Sequence, residues 1–327
     1  MIKTVVPIVS PAVNYLTYIQ AYCGVNWKVE DTDHIEGFLS EEDHNLIQSC
    51  SADLCFGDGS GSSLTELFYF FPAYVFRENS EGLNGYFTCL AQCHDAQSMS
   101  PLFDGYGHHI NRLQEYNPGS LSNRSFLEQD DMLLKIKLLS TIYKAHYHKY
   151  MQYHWDADKA LIERTGDYIH KIFAKNDIVG KWEDLTGFDL LADQYQLIIV
   201  PSLQFGPCAN SLHHGVNIFP AITEYCTEYY FDHFISHEIG THILKPHTLD
   251  KVQISEDNLR VPYIAFENLA KHINLKILSN MYQYELGEDY YNDSVFESIY
   301  NILDSGSIEN ISSMYFNAID QYKKLKS

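Results

Sequence analysis

Basic residues are the scarce class in this chain. Lysine and arginine number 22 against 43 aspartates and glutamates, and the formal net charge is −21 over 327 residues. A potential that is negative over most of the surface disfavours polyanions. Nucleic acid and anionic membranes are therefore not expected as partners, and an anionic substrate needs a local basic patch. Also missing is any Cys-x-x-Cys pair among the seven cysteines, Cys23, Cys50, Cys55, Cys89, Cys93, Cys208 and Cys226. That argues against a zinc ribbon or a thioredoxin-like centre, and reduced thiols in a cytoplasmic protein are the simpler reading. No apolar run has the length of a transmembrane helix. The opening stretch MIKTVVPIVSPAVNYLTYIQAYCG is broken by prolines and polar residues and lacks a small-x-small cleavage site, so it makes a poor signal peptide. GDGSGSS, residues 57–63, has neither the lysine of a phosphate loop nor the ligand spacing of a calcium loop, and reads as a connector.

Tyrosine, by contrast, is abundant at 25 residues. It brings apolar area and a hydroxyl that needs a partner, and a tyrosine-rich core and surface is the simplest outcome. With 45% hydrophobic and 20% charged residues, the chain has the composition of a folded globular protein. Serine at 40 followed by acids predicts a helix start. FYFFPAYVF (68–76) and GYFTCL (85–90), on either side of RENSEGLN, predict two strands joined by a turn. Residues 99–125, rich in glycine, serine, asparagine and proline, read as a long loop. Ser125-x-x-Glu128 is a capping box. Beyond it Leu133, Ile136, Leu139, Tyr143 and Tyr147 recur at helical spacing, and a second helix follows. YQLIIVP (195–201) is the best strand, HHGVNIF (213–219) another. A helix is expected over 223–244, another from Pro262, and two amphipathic helices in the tail.

The chemistry concentrates in FISHEIGTHILK, residues 234–245. A catalytic zinc takes three protein ligands and keeps one position open for water. His237 and His242 are five residues apart, which in a regular helix turns them about 140° away from each other. A single π-turn absorbs one residue and reunites such a pair. Gly240 lies in the interval, where glycine costs a helix about 1 kcal/mol, so a distortion over Ile239, Gly240 and Thr241 is expected. Glu238, beside the first histidine, is placed to act as general base on a metal-bound water. Glu267, on the helix from Pro262, is the favoured third ligand, ahead of Asp250, Glu256, Asp257, His247 and His272.

HEIGTH followed by FENLA resembles the tyrosine carboxypeptidase family. Its members include the microtubule-associated enzymes that remove the terminal tyrosine of α-tubulin, and bacterial relatives. The likeness spans roughly residues 190–275. It implies zinc bound by His237, His242 and Glu267, Glu238 as base, and a peptide or protein substrate cut at its C-terminus. Dipeptidyl peptidase III also carries a His-Glu-x3-His helix. Lys245 stands where the family has arginine, Asn268 where it has glycine and Phe266 where it has glutamine. A carboxypeptidase needs a cation for the substrate's terminal carboxylate, and Lys245 and Arg260 are the candidates.

The combined expectation is an α+β, zincin-like metallopeptidase with a small mixed sheet beside the active-site helix and helices elsewhere. It is read as a single catalytic domain over 1–327, with an accessory region at 1–124 and the metallopeptidase core at 125–327. Two other readings use the same residues. A pair of histidines and one carboxylate also form the facial triad of a non-haem iron oxygenase, and a vestigial site suits a peptide-binding protein.

Overall fold

The computed structural model describes residues 3–27, 37–56, 63–116, 121, 127, 130–203, 209–223, 228–252, 260–278, 293–304 and 310–326. The architecture is mostly helical α+β, with one small mixed sheet. In chain order it runs β1 (Thr4–Ile8), α1 (Pro11–Tyr22), α2 (Glu41–Ser49), α3 (Ser51–Leu54), α4 (Ser63–Thr65), a π-helical turn (Glu66–Phe70), α5 (Phe71–Phe76), α6 (Leu83–Gln92), α7 (Ala96–Gly105) and α8 (Gly107–Tyr116). Then follow α9 (Asp130–Tyr153), α10 (Trp155–Phe173), α11 (Ile178–Thr186), β2 (Gln194–Val200), β3 (Asn210–His213), β4 (Val216–Pro220), α12 (Glu228–Leu244), α13 (Arg260–Leu278), α14 (Ser294–Asp304) and α15 (Ile311–Lys326). No described helix is long and apolar enough to cross a membrane.

The chain divides into two compact units. One holds Val6–Lys171 and Gln196–Thr227, and the other holds Met1–Val5, Ile172–Tyr195 and Glu228–Ser327. The sheet has the strand order β1-β2-β4-β3. β2 pairs with β4 in parallel, from Gln196 opposite Val216 to Val200 opposite Pro220. β3 pairs with β4 antiparallel across a tight reversal at Gly215, whose φ of +66° suits glycine. The β-branched run of β2 is buried from Tyr195 to Val200, as a parallel central strand requires.

The expected helices at Ser40, over 130–153 and in the tail are present, and Ser40 caps α2 by accepting from the Asp43 amide at 3.1 Å. Two readings fail. FYFFPAYVF is helical, split between the π-helical turn and α5, and GYFTCL lies within α6. Leu67, Phe68, Tyr69, Phe71 and Ala73 are all buried, so the aromatic run is apolar on every side. Such a run carries no periodicity that separates strand from buried helix, and tertiary packing decides. Residues 96–116, read largely as loop, form α7 and α8. A reciprocal Asp95–Ser98 capping box starts α7, and Met99, Leu102, Phe103, Ile110 and Leu113 are buried. The Ser125–Glu128 capping box, residues 57–62 of the connector, Glu256 and Asp257 lie outside the described residues.

Tyrosine supplies much of the larger unit's interior. Tyr15 of α1 sits among Tyr143, Tyr147 and Tyr150 of α9, with ring centroids 6.3, 5.1 and 5.6 Å away. Its hydroxyl donates to the Tyr143 carbonyl. Tyr15→Phe keeps the ring and removes that bond, so it should cost about 1 kcal/mol in urea unfolding. An unchanged midpoint would show that the hydroxyl contributes nothing.

Candidate functional site

Every proposed metal or base residue lies in the smaller unit, on α12 or α13. α12 buries Phe231, Ile235, Ile239, Ile243 and Leu244. It is α-helical throughout Glu228–Leu244, and the anticipated π-turn at residues 239–241 is absent. Gly240 has a different explanation. A Cβ there would lie 2.2 Å from both Cη2 and Cζ2 of Trp182, far inside van der Waals contact. Glycine is thus required by the close approach of an indole, not by a bulge in the helix. Trp182 is wholly buried, and its Nε1–H donates to Ser236 Oγ at 3.1 Å.

The helix that carries Trp182 is fixed at both ends. Asp177 caps α11 by accepting from the Gly180 amide at 2.9 Å. Gly187, with φ +72°, closes the helix in the left-handed conformation and returns its N–H to the Glu183 carbonyl. The Glu183 carboxylate in turn binds Lys3 Nζ at 2.6 Å and the Leu190 amide at 2.9 Å.

α13 is tied down through its backbone. Tyr315 Oη donates to the Pro262 carbonyl at 3.0 Å, and Tyr300 Oη to the Ala265 carbonyl at 2.8 Å. Both acceptors fall in the first turns of the helix. Asn268, which stands where the family it resembles has glycine, donates to the Ile264 carbonyl at 2.8 Å and accepts from the Asp293 amide at 3.2 Å. The two tyrosine contacts and the Asp293 contact join α13 to segments distant in sequence, so local pattern gives no sign of them.

The structure brings His237 and Glu267 together. Nε2 lies 3.1 Å from Oε2, with the side chains only 10% and 13% exposed. This separation is a direct hydrogen-bond distance, and it also matches the roughly 3–3.5 Å between two donors that share one zinc ion at about 2.1 Å each and a tetrahedral angle. One helical turn before His237, Asn274 Nδ2 donates to the His233 carbonyl at 3.1 Å. The other residues stand as follows. His242 is buried, and its ring meets the Tyr195 ring edge-on at 5.4 Å. On a regular helix it points about 140° away from His237. Glu238 Oε2 lies 3.4 Å from Thr241 Oγ, which also donates to the Glu238 carbonyl at 2.8 Å. Lys245 Nζ contacts Asp250 Oδ1 at 2.7 Å. Arg260 is the exposed first residue of α13.

Two competitors are engaged elsewhere. The His247 ring stacks on Phe188, centroids 3.9 Å apart and planes 10° apart, and burial lowers its pKa. His272 Nε2 is 3.8 Å from Asp304 Oδ2, and burial lowers its pKa as well. Among the described residues no group of three or more His, Cys, Asp or Glu is arranged to hold a metal ion. Two of the three anticipated ligands therefore fit a shared cation, and the set of three does not converge. No protein-family model, curated protein or solved structure matches the chain.

Proposed function

We propose that the protein is a zinc-dependent peptidase of the carboxypeptidase type, acting on the C-terminus of a peptide or protein. The observation that carries this reading is the approach of Glu267 Oε2 to His237 Nε2 at 3.1 Å, between HEIGTH and FENLA, the two segments that resemble such enzymes. On this reading α12 and α13 form the centre of a zincin-like site in which His237 and Glu267 would hold the ion. Zinc would supply a polarised, acidified water. Glu238 is the neighbouring carboxylate able to hold a proton during attack and return it to the leaving amine. Lys245, oriented by Asp250, and the exposed Arg260 are the cations offered to a terminal carboxylate. The five described cysteines are unpaired, which suits a reducing, cytoplasmic setting.

Digestion of a mixed-sequence peptide library, read by mass spectrometry, tests the proposal. The expected result is loss of C-terminal residues that stops with a chelator and returns with zinc. Unchanged cleavage in chelator would remove the metal from the reading. A second reading, a peptide-binding protein with an incomplete metal site, is favoured by the failure of three donors to converge among the described residues. It predicts peptide retention with no cleavage of any library member.

A further inference from the structure

We propose that Trp182 is a positioning residue for the His237–Glu267 pair, setting the rotation of α12 about its own axis. The role of the pair in metal binding rests on the function proposed above; the positioning does not. At about 100° per residue, with His237 as zero, Ser236 lies at roughly −100° and Gly240 at −60°. Glu238 and His242 lie at roughly +100° and +140°. Trp182 thus grips a stripe nearly opposite the one that bears Glu238 and His242, with His237 on the flank between them.

The grip has two parts of different character. Contact of the indole edge with Gly240 fixes how closely α11 approaches, because no side chain separates ring from backbone. The Nε1–H bond to Ser236 Oγ at 3.1 Å is directional, and apolar packing is not. A roll of about 20° would carry a group about 6 Å from the axis through roughly 2 Å, enough to break the 3.1 Å contact of His237 with Glu267. Glu267 is itself on a helix held by Tyr300 and Tyr315. A fixed rotation of α12 is therefore what brings the two groups into register.

The test uses the full chain with Ser236→Ala and Trp182→Phe, which remove the acceptor and the donor of that bond. In each background, and in wild type, the coupling between His237 and Glu267 is measured by thermal unfolding of the two single alanine variants and the double, in chelator. Cobalt(II) titration, followed by its visible spectrum, is the second readout. The expected result is a small fall in melting temperature, loss of the His237–Glu267 coupling, and at least about a tenfold loss of cobalt affinity. Ser236→Thr, which keeps the hydroxyl, should restore the coupling. Coupling equal to wild type in both backgrounds would overturn the proposal even if both variants are less stable. A wild-type protein that binds no cobalt would defeat the metal-dependent function and leave the coupling measurement to decide the positioning.

Discussion

Gly240→Ala is expected to destabilise the protein by about 2 kcal/mol or more in chemical denaturation, against the usual sign for glycine in a helix. Helix propensity alone favours alanine by about 1 kcal/mol. The added Cβ, however, would lie 2.2 Å from Cη2 and Cζ2 of Trp182 and 2.7 Å from Cε2, where favourable contact begins at about 3.5 Å. The indole has no easy retreat, being wholly buried and bonded to Ser236. Overpacking typically costs about 1–3 kcal/mol, occasionally more, when the surroundings must shift. An overlap this deep belongs at the upper end, so the clash outweighs the propensity. Trp182→Leu should relieve it. The double variant is then expected to be more stable than the sum of the two single changes allows, the mark of residues in direct contact. A Gly240→Ala protein more stable than wild type would refute the packing account and restore the idea that glycine marks a backbone irregularity.

The second large effect depends on pH. Asp158 of α10 is mostly buried, and its carboxylate accepts from Tyr150 Oη at 2.6 Å. Burial raises its pKa from 3.8 to about 6, and the Tyr150 hydrogen bond opposes that rise only in part. The folded protein therefore keeps a proton that the unfolded chain releases near pH 4. The resulting stabilisation is complete below about pH 4 and is lost as pH rises through about 6. A gap of this size corresponds to about 3 kcal/mol. Asp158→Asn retains an acceptor for Tyr150 and removes the buried charge, so it should stabilise the fold by about 2–3 kcal/mol at pH 7.5. The gain should vanish near pH 4. His154, close by, titrates with the opposite sign, since burial lowers its pKa. Comparing wild type with the variant cancels that contribution. A constant difference across pH 4–8 would mean that Asp158 ionises alike in both states.

Periodicity in the sequence was enough to find α9, but α11, the helix that carries Trp182, was not anticipated. Ile136, Leu139 and Tyr143 mark the buried face of α9, and α13, read as a helix from Pro262, carries Glu267 to 3.1 Å from His237. Where spacing carried no period, the sequence was silent: the aromatic run 68–76 has no polar face to betray its helix. Gly240 illustrates a second limit. Its anomaly within a helix was visible, but the cause is an indole on α11, and a contact between distant segments leaves no trace in local pattern. The same holds for Asn268, whose partners in α13 and at Asp293 account for it better than any motif does.

The interleaving of the two units has a consequence for biosynthesis. The segments of the larger unit, Val6–Lys171 and Gln196–Thr227, are all translated before Glu228. Most of the smaller unit, including every candidate ligand, emerges afterwards. Trp182 is made early and must wait, unpaired with Ser236, until the ribosome has delivered α12. Partly made chains thus leave the Trp182 indole without its Ser236 and Gly240 contacts for the time needed to add some fifty residues, several seconds at about 5–20 residues per second. An indole in that state is an apolar group of the kind chaperones bind, so α12 must arrive before it can be buried.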